Sequence, residues 1–408
     1  MLRMASHFFT IGSMTLEKLR AWWSFRQGLD GRLARSAPAE VLRATGWARS
    51  VGGVAPYLTL FARAGISRET ADAAVAALEI HELPAARGCT YVVPACDFAL
   101  ALRAGAPFAG AEMKTAAKLG VNEREVARLC EAVLQSLESG PLDPEAIRAA
   151  TGKASRSLGE EGRKKGLTTT LPLALERLQV EGEIRRVPLN GRLDQQRYQY
   201  ALWRPNPLAK FSLAAEEVQT ELARRYFQWI GPATMEEYRQ FSGLGSKAAA
   251  AAVEPLKLAA VDDGRLLLPE DRDAFQAFRA PTETQYRLAS SLDGIALLRW
   301  DAQSLVDSAD LHRPILAASG KGGGLAYLPD HAIFDRGRLI GLWEYDPQSQ
   351  SIAWKAFVTP NRGLKAAVAR MEEFVREQLG DARGFSLDSP KSRVPRIAAL
   401  RAKSGSPG

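Results

Sequence analysis

Cysteine and histidine are scarce: the 408-residue chain holds three of the first and four of the second. So few cysteines exclude a disulfide-stapled secreted scaffold, and their odd number fits a reducing compartment. Cys89, Cys96 and Cys130 stand at no zinc-ligand spacing, so they read as small apolar residues and no metal is expected. There is no apolar run of about 18 residues, so no membrane-crossing helix is expected. Met1 to Ser13 carries only Arg3 as a positive charge and has no long apolar core, so it does not read as a signal peptide. The expected location is the cytoplasm. A phosphate loop is lacking too: Gly322-Gly323-Gly324 after Lys321 has neither the spacing nor the following Ser or Thr, and reads as a flexible loop. No nucleophile elbow or metal-binding histidine pair is present. The excess of positive charge is small, 54 Lys and Arg against 46 Asp and Glu, a net +8. Such a balance permits a nucleic-acid partner without requiring one, because clustering rather than the total makes a binding face.

What remains is an ordinary globular composition, 46% hydrophobic and 25% charged, long enough for roughly two to four structural units. The order of elements is more informative. Thr15 can cap a first amphipathic helix carrying Leu16, Leu19, Trp22 and Trp23. A second helix is predicted over Pro38 to Thr45, and others over Leu58 to Ala64 and from Ser67 to Leu78. Leu83 to Pro94 then reads as a strand pair around a short turn. Helices followed by a two-stranded hairpin are the order of a winged helix, a module whose helix before the hairpin usually faces DNA.

That order recurs twice. Helices over Asn122 to Leu137, Glu145 to Ala150 and Leu171 to Gln179 precede strands over Ile184 to Pro188 and Arg197 to Trp203. Helices over Leu213 to Trp229, Met235 to Phe241 and Lys247 to Leu258 precede a tight turn at Asp262-Asp263-Gly264-Arg265. Gly140-Pro141 and Gly231-Pro232 occupy matching places, which makes this a repeat of pattern rather than of sequence. After Pro281 strands are predicted at Leu292 to Leu298, His331 to Phe334, Arg338 to Tyr345 and Ile352 to Phe357, with a closing helix over Leu364 to Gln378. From Lys391 onward the chain is basic and acid-free and reads as disordered. The expected fold class is therefore α+β, mainly α: three tandem winged-helix units and a small C-terminal β-barrel or sheet. The expected boundaries are 15–107, 121–205, 212–280 and 281–380, with a flexible tail over 381–408.

Positive charge gathers in the second unit. Lys153, Arg156, Arg163, Lys164 and Lys165 lie in one stretch, and Arg185, Arg186 and Arg197 on and around its strand pair. This is where a duplex-binding protein would contact phosphates, and Thr168 to Thr170 at a helix start can add donors. The other dense candidate is the loop Trp47 to Tyr57. Its glycines, Gly52 and Gly53, let a backbone approach a ligand, Arg49 can contact a phosphate or base, and Tyr57 can stack. The plainer reading makes Trp47 and Tyr57 core aromatics of a helix-entry turn.

Three stretches, Trp47 to Arg63, Ala86 to Ala95 and Asp335 to Trp343, resemble the winged-helix DNA-binding family that includes the AlkZ-like crosslink-repair DNA glycosylases. The resemblance spans roughly residues 15–380. It implies a concave basic surface for double-stranded DNA and excision of bulky alkylated or crosslinked purines by N-glycosidic hydrolysis. It also implies a Gln–apolar–Gln or Gln–apolar–Asp motif just after the second helix. Here that place reads Trp47-Ala48-Arg49-Ser50-Val51, so its polar positions hold Ala48 and Ser50 or Trp47 and Arg49. None is a Gln or carboxylate able to hold a water against the sugar's anomeric carbon. Gln27 and Asp30 lie on a different turn, and His81 and Glu82 on the segment leading to the first hairpin.

The reading carried forward is a glycosylase-like DNA-repair protein. Arg49, Ser50 and Tyr57 would line its lesion site, and Lys153, Arg156, Arg163, Lys164, Lys165, Arg185, Arg186 and Arg197 would hold DNA. No cofactor, metal or membrane is expected, and the protein is expected to be a monomer. Catalytic activity stays open. The alternatives are a non-catalytic duplex-DNA binder and a protein-interaction or ligand-sensing module.

Overall fold

The structure, a computed structural model, describes residues 15–194, 197–261, 264–317 and 325–402. The Met1 to Ser13 segment, Asp262-Asp263 of the third turn, Gly322-Gly323-Gly324 with Lys321, and Lys403 with the last residues of the tail lie outside them.

Helix α1 (Leu16–Arg26) begins where Thr15 accepts a hydrogen bond from the Lys18 amide at 3.2 Å. Trp22 and Trp23 are buried, and their indole N–H groups donate to the carbonyls of Gly231 (2.8 Å) and Pro232 (3.1 Å). Indoles need such partners when buried, so the first helix is fastened to a turn far along the chain.

The first unit runs α2 (Pro38–Thr45), β1 (Ala48–Arg49), α3 (Ala55–Ala64), α4 (Arg68–Ala76), β2 (Ile80–Pro84) and β3 (Thr90–Pro94). Its strands form an antiparallel sheet in the order β1-β3-β2. Helices α5 (Phe98–Gly105) and α6 (Ala111–Ala117) lead to the middle unit. There α7 (Glu123–Ser136), capped by Asn122, is followed by α8 (Pro144–Thr151), α9 (Gly159–Lys164), α10 (Leu171–Val180) and the hairpin β4 (Ile184–Pro188) and β5 (Tyr198–Leu202). The third run is α11 (Ala215–Ile230), α12 (Met235–Ser242), α13 (Ser246–Val253) and the short pair β6 (Ala259–Ala260) and β7 (Leu266–Leu267), followed by α14 (Arg272–Ala277).

The last part contains β8 (Tyr286–Ala289), α15 (Gly294–Leu297), α16 (Pro314–Ala317), β9 (His331–Asp335), β10 (Arg338–Asp346), β11 (Ser351–Ala356), α17 (Arg362–Phe374) and α18 (Pro390–Arg401). One expectation, barrel or sheet, narrows to a sheet here, and two others change. The strands form one open antiparallel sheet, β8-β9-β10-β11, and no closed barrel exists among the described residues. Leu292 to Leu298 is not a strand: Asp293 accepts from the Ile295 amide at 3.1 Å and starts a short helix. Much of the basic tail is ordered. In α18 Arg393 is fully buried, and Arg396 reaches Glu344 of β10 (2.8 Å) and Asp388 just before the helix (2.9 Å), so its charge is absorbed by acids outside the basic stretch.

Only the middle unit keeps an apolar core drawn from its own residues, including Val126, Leu129, Ile147, Leu171 and Ile184. The other runs interpenetrate. One core joins α2 to α4 with the C-terminal sheet and α17. A second joins the first hairpin and α5 with α11 to α13. A third joins α1 with the C-terminal sheet and α18. Each fully buried Leu or Val here contributes roughly 1.5–3 kcal/mol. At their junction Arg63 grips Asp293 through both guanidinium ends (2.6 and 2.8 Å) and donates to Gln27 (2.8 Å). Gln27 in turn donates to the carbonyls of Thr45 (2.7 Å) and Trp229 (3.0 Å). The first and middle hairpins are thereby left free to face one another across a groove.

Candidate active site and nucleic-acid interface

Strand β1 follows directly on α2, and Gly46 ends that helix with φ +106°, a value that suits glycine. Ala48 pairs with Val92, and Glu82 of β2 pairs with the same Val92 from the other side. Paired residues share a face of a sheet, and so do residues two apart. Ser50, two beyond Ala48, therefore lies on Glu82's face. Its hydroxyl donates to Glu82 Oε1 at 2.5 Å, and its amide to the Thr90 carbonyl at 3.0 Å.

Glu82 is 7% exposed and lines an open cavity of about 550 Å³ together with Arg49, Ser50, Thr90, Arg186 and Tyr198. Burial pushes its carboxyl above the usual range. Hydrogen bonds from the Ser50 and Tyr198 hydroxyls and the nearby Arg186 and Arg49 charges pull the other way. Arg49 donates to the Thr90 carbonyl (2.6 Å) and lies over the Tyr91 ring, 5.3 Å from its centre. Arg186 of β4 lies over Tyr198 at 5.1 Å, and its Nε is buried without a hydrogen-bond partner. A second cavity of about 570 Å³, between the first hairpin and α8 and α10, shares Gly88, Thr90 and Arg186 with the first. The two make one groove between the first and middle units.

The proposed residues divide on this geometry. Arg49, Ser50 and Arg186 come together in the groove. Tyr57 does not: it is 1% exposed in the first core, where its hydroxyl donates to Asp72 and accepts from the Leu193 amide. Burial pushes its phenol well above the usual range, so Tyr57 is a core residue. Of the two glycines near it, Gly52 lines the smaller cavity and Gly53 serves the chain itself. A Cβ on Gly53 would fall 2.4 Å from the Gly384 carbonyl oxygen, so the close approach is to the protein's own backbone rather than to a ligand.

Of the eight basic residues proposed to hold DNA, Arg186 alone lines these cavities. Lys153, Arg163, Lys164, Lys165 and Arg197 stand exposed on the middle unit. Arg156 is held by Glu125 at 2.6 Å, and Lys164 faces Glu161 at 3.6 Å. Arg185 is half-buried, and burial lowers its guanidinium. Of the threonines at the start of α10, Thr168 and Thr169 line the larger cavity and Thr170 is buried.

The other polar candidates have structural work. Gln27 has no exposed surface, and its amide is fully engaged in the Arg63 network. His81 points to the opposite face from Glu82, against Trp203 and Phe98. Burial lowers it to about 3, with Arg185 and Arg186 adding to the effect, so the imidazole is neutral. Glu82 is the residue that sequence reasoning named and could not place. Its signal was a carboxylate between His81 and Leu83 in a strand flanked by apolar residues; a carboxylate is rarely buried without a partner. Among the described residues no cluster of His, Cys, Asp and Glu could hold a metal ion, and no helix is long and apolar enough to cross a membrane.

Residues 50–377 match the family described as "DNA glycosylase AlkZ-like", and the chain belongs to that family. It is a DNA-repair glycosylase-like protein. Among solved structures it is similar to the Streptomyces sahachiroi DNA glycosylase AlkZ, at 20% identity and a TM-score of 0.66 over 88% of this chain and 97% of that one. No curated protein matches it.

Proposed function

We propose that the protein binds double-stranded DNA as a monomer through three winged-helix units and hydrolyses the N-glycosidic bond of bulky alkylated or crosslinked purines. The observation that carries this reading is the groove between the first and middle hairpins. At its floor is a buried carboxylate, Glu82, hydrogen-bonded to Ser50 and flanked by Arg49 and Arg186. An extruded base needs a cavity of this kind, with polar groups at its base and cations for the backbone. A bulky purine fits in about 550 Å³ open to solvent. Exposed Arg163, Lys164, Lys165 and Arg197 support phosphate contacts on the middle unit.

The chemistry asks for a water held against the sugar while the base departs. An N7-alkylated purine carries a positive charge and leaves as a neutral base, so no strong acid is needed at the base. The test is incubation with duplex DNA bearing an N7-alkylguanine. Abasic sites are expected above spontaneous depurination, and their absence across several bulky lesions would refute the activity. A second reading, duplex binding without catalysis, is favoured by one observation: the family's motif place holds Ala48 and Ser50, or Trp47 and Arg49, rather than Gln or Asp. Tight salt-dependent binding with no excision would identify that case.

A further inference from the structure

The family's water-holding pair is missing from β1, yet the position it would occupy is not chemically empty. Ser50, just past the end of β1, lies in that stretch, and it points its hydroxyl at a carboxylate from the neighbouring hairpin. We infer that Glu82 is a catalytic residue of this protein, holding the attacking water and accepting its proton, with Ser50 and Tyr198 fixing the carboxylate. The inference rests on the glycosylase reading above.

Three features of the groove carry it. Glu82 lines the groove and does not sit sealed beneath it, although it is 7% exposed. Its hydrogen-bonding capacity is not used up. An ionised carboxylate accepts about four hydrogen bonds, and two hydroxyl donors, Ser50 and Tyr198, face it. A water approaching from the groove finds free lone pairs. Finally, the two neighbouring cations are occupied in ways that leave Glu82 without a direct ion pair: Arg49 bonds the Thr90 carbonyl and Arg186 stacks on Tyr198. They favour the ionised form from a distance without covering the oxygens. A carboxylate tied in a bidentate ion pair would be a poor base.

The step balances. The water oxygen bonds C1′ as the C1′–N9 bond breaks. The electron pair of that bond passes into the cationic alkylated purine, which leaves neutral. The water proton goes to Glu82 and later to solvent. Carriage of the role by a second strand explains how β1 can lack both Gln and Asp. The polar pair is split, Ser50 just past β1 and Glu82 on β2, and the sheet register reunites them.

The experiment is single-turnover excision of an N7-alkylguanine by the full chain, wild type against Glu82→Gln. Gln has nearly the same shape and can hold a water but cannot take its proton. A loss of about 100-fold or more is expected, within the usual range for a general base, with duplex affinity unchanged. The wild-type pH–rate profile should fall on its acid side, and Glu82→Gln should lose that limb. Excision by Glu82→Gln at the wild-type rate would overturn the assignment and leave the glycosylase reading standing. No excision by wild type on any lesion would overturn both. Thermal melting checks that the variant folds. If it does not, the wild-type profile decides: a rate that is flat toward acid pH overturns the role of Glu82.

Discussion

Ser50 Oγ lies 2.5 Å from Glu82 Oε1, so a hydroxyl at the end of one strand holds a buried carboxylate at the floor of the groove. Thirty-two residues of chain separate the two, and the strand between them in the sheet, β3, brings them together.

Removing that hydroxyl has a defined consequence. Ser50→Ala strips a donor from a buried acid, and hydrogen bonds to charged groups contribute about 1.5–3 kcal/mol. Urea unfolding near neutral pH should show a loss of that order. The Ser50 hydrogen bond also lowers the Glu82 carboxyl, so its removal raises it. The acid limb of the pH–rate profile should move to higher pH, and unchanged stability with an unshifted limb would contradict the pairing.

The basic residues of the middle unit should not be equivalent. Arg163 and Lys165 are exposed, whereas Arg156 is held by Glu125 at 2.6 Å. Arg163→Ala and Lys165→Ala should each weaken duplex binding for all sequences and reduce the salt slope by about 1. Arg156→Ala should change it little. Titrations at several salt concentrations check this, and equal effects for all three would mean that the ion pair opens to meet DNA.

The C-terminal helix carries a pH-dependent element. Asp330, Glu344 and Asp388 all converge on Arg396, at 3.0, 2.8 and 2.9 Å. One guanidinium does not neutralise three carboxylates. Burial, then the neighbouring Glu344, pushes Asp330 up to about 7 from an ordinary value of 3.8. The folded chain thus holds a proton that the unfolded chain releases between those values. Stability from this group is present at acid pH, falls as pH rises toward about 7 and is level above it. Asp330→Asn should abolish that slope. Relative to wild type it should gain on the order of 2–4 kcal/mol between about pH 5 and pH 8. Denaturant unfolding at both pH values measures it, and parallel curves for the two proteins would refute the shift.

Much of the element order was legible in the sequence because it rests on local rules. Thr15, Asn122 and Asp143 cap helices as their side chains allow, and Pro38 opens α2. The two hairpins that frame the groove were also readable, from runs of β-formers around Gly88 and around the turn after Pro188. The failures were tertiary. Leu292 to Leu298 is apolar enough for a strand, but Asp293, locked to Arg63, starts a helix instead. The basic stretch from Lys391 looked disordered because its acidic partners lie outside it, Asp381 and Asp388 just before it and Glu344 far away on β10.

The same division governs the site. By itself the sequence determined that Trp47 to Val51 carries neither Gln nor a carboxylate, that Arg186 sits on a hairpin, and that Glu82 lies on the segment leading to one. It determined equally that Gln27, Tyr57 and His81 have the chemistry to compete for the role. Tertiary structure alone decided among them. Packing buried Gln27 and Tyr57 behind saturated hydrogen bonds and turned His81 inward, neutral. It left Glu82 buried at the wall of an open cavity, beside a hydroxyl and two cations. Side-chain chemistry is local, but burial and sheet register, which decide where that chemistry is available, depend on contacts between residues far apart in the chain.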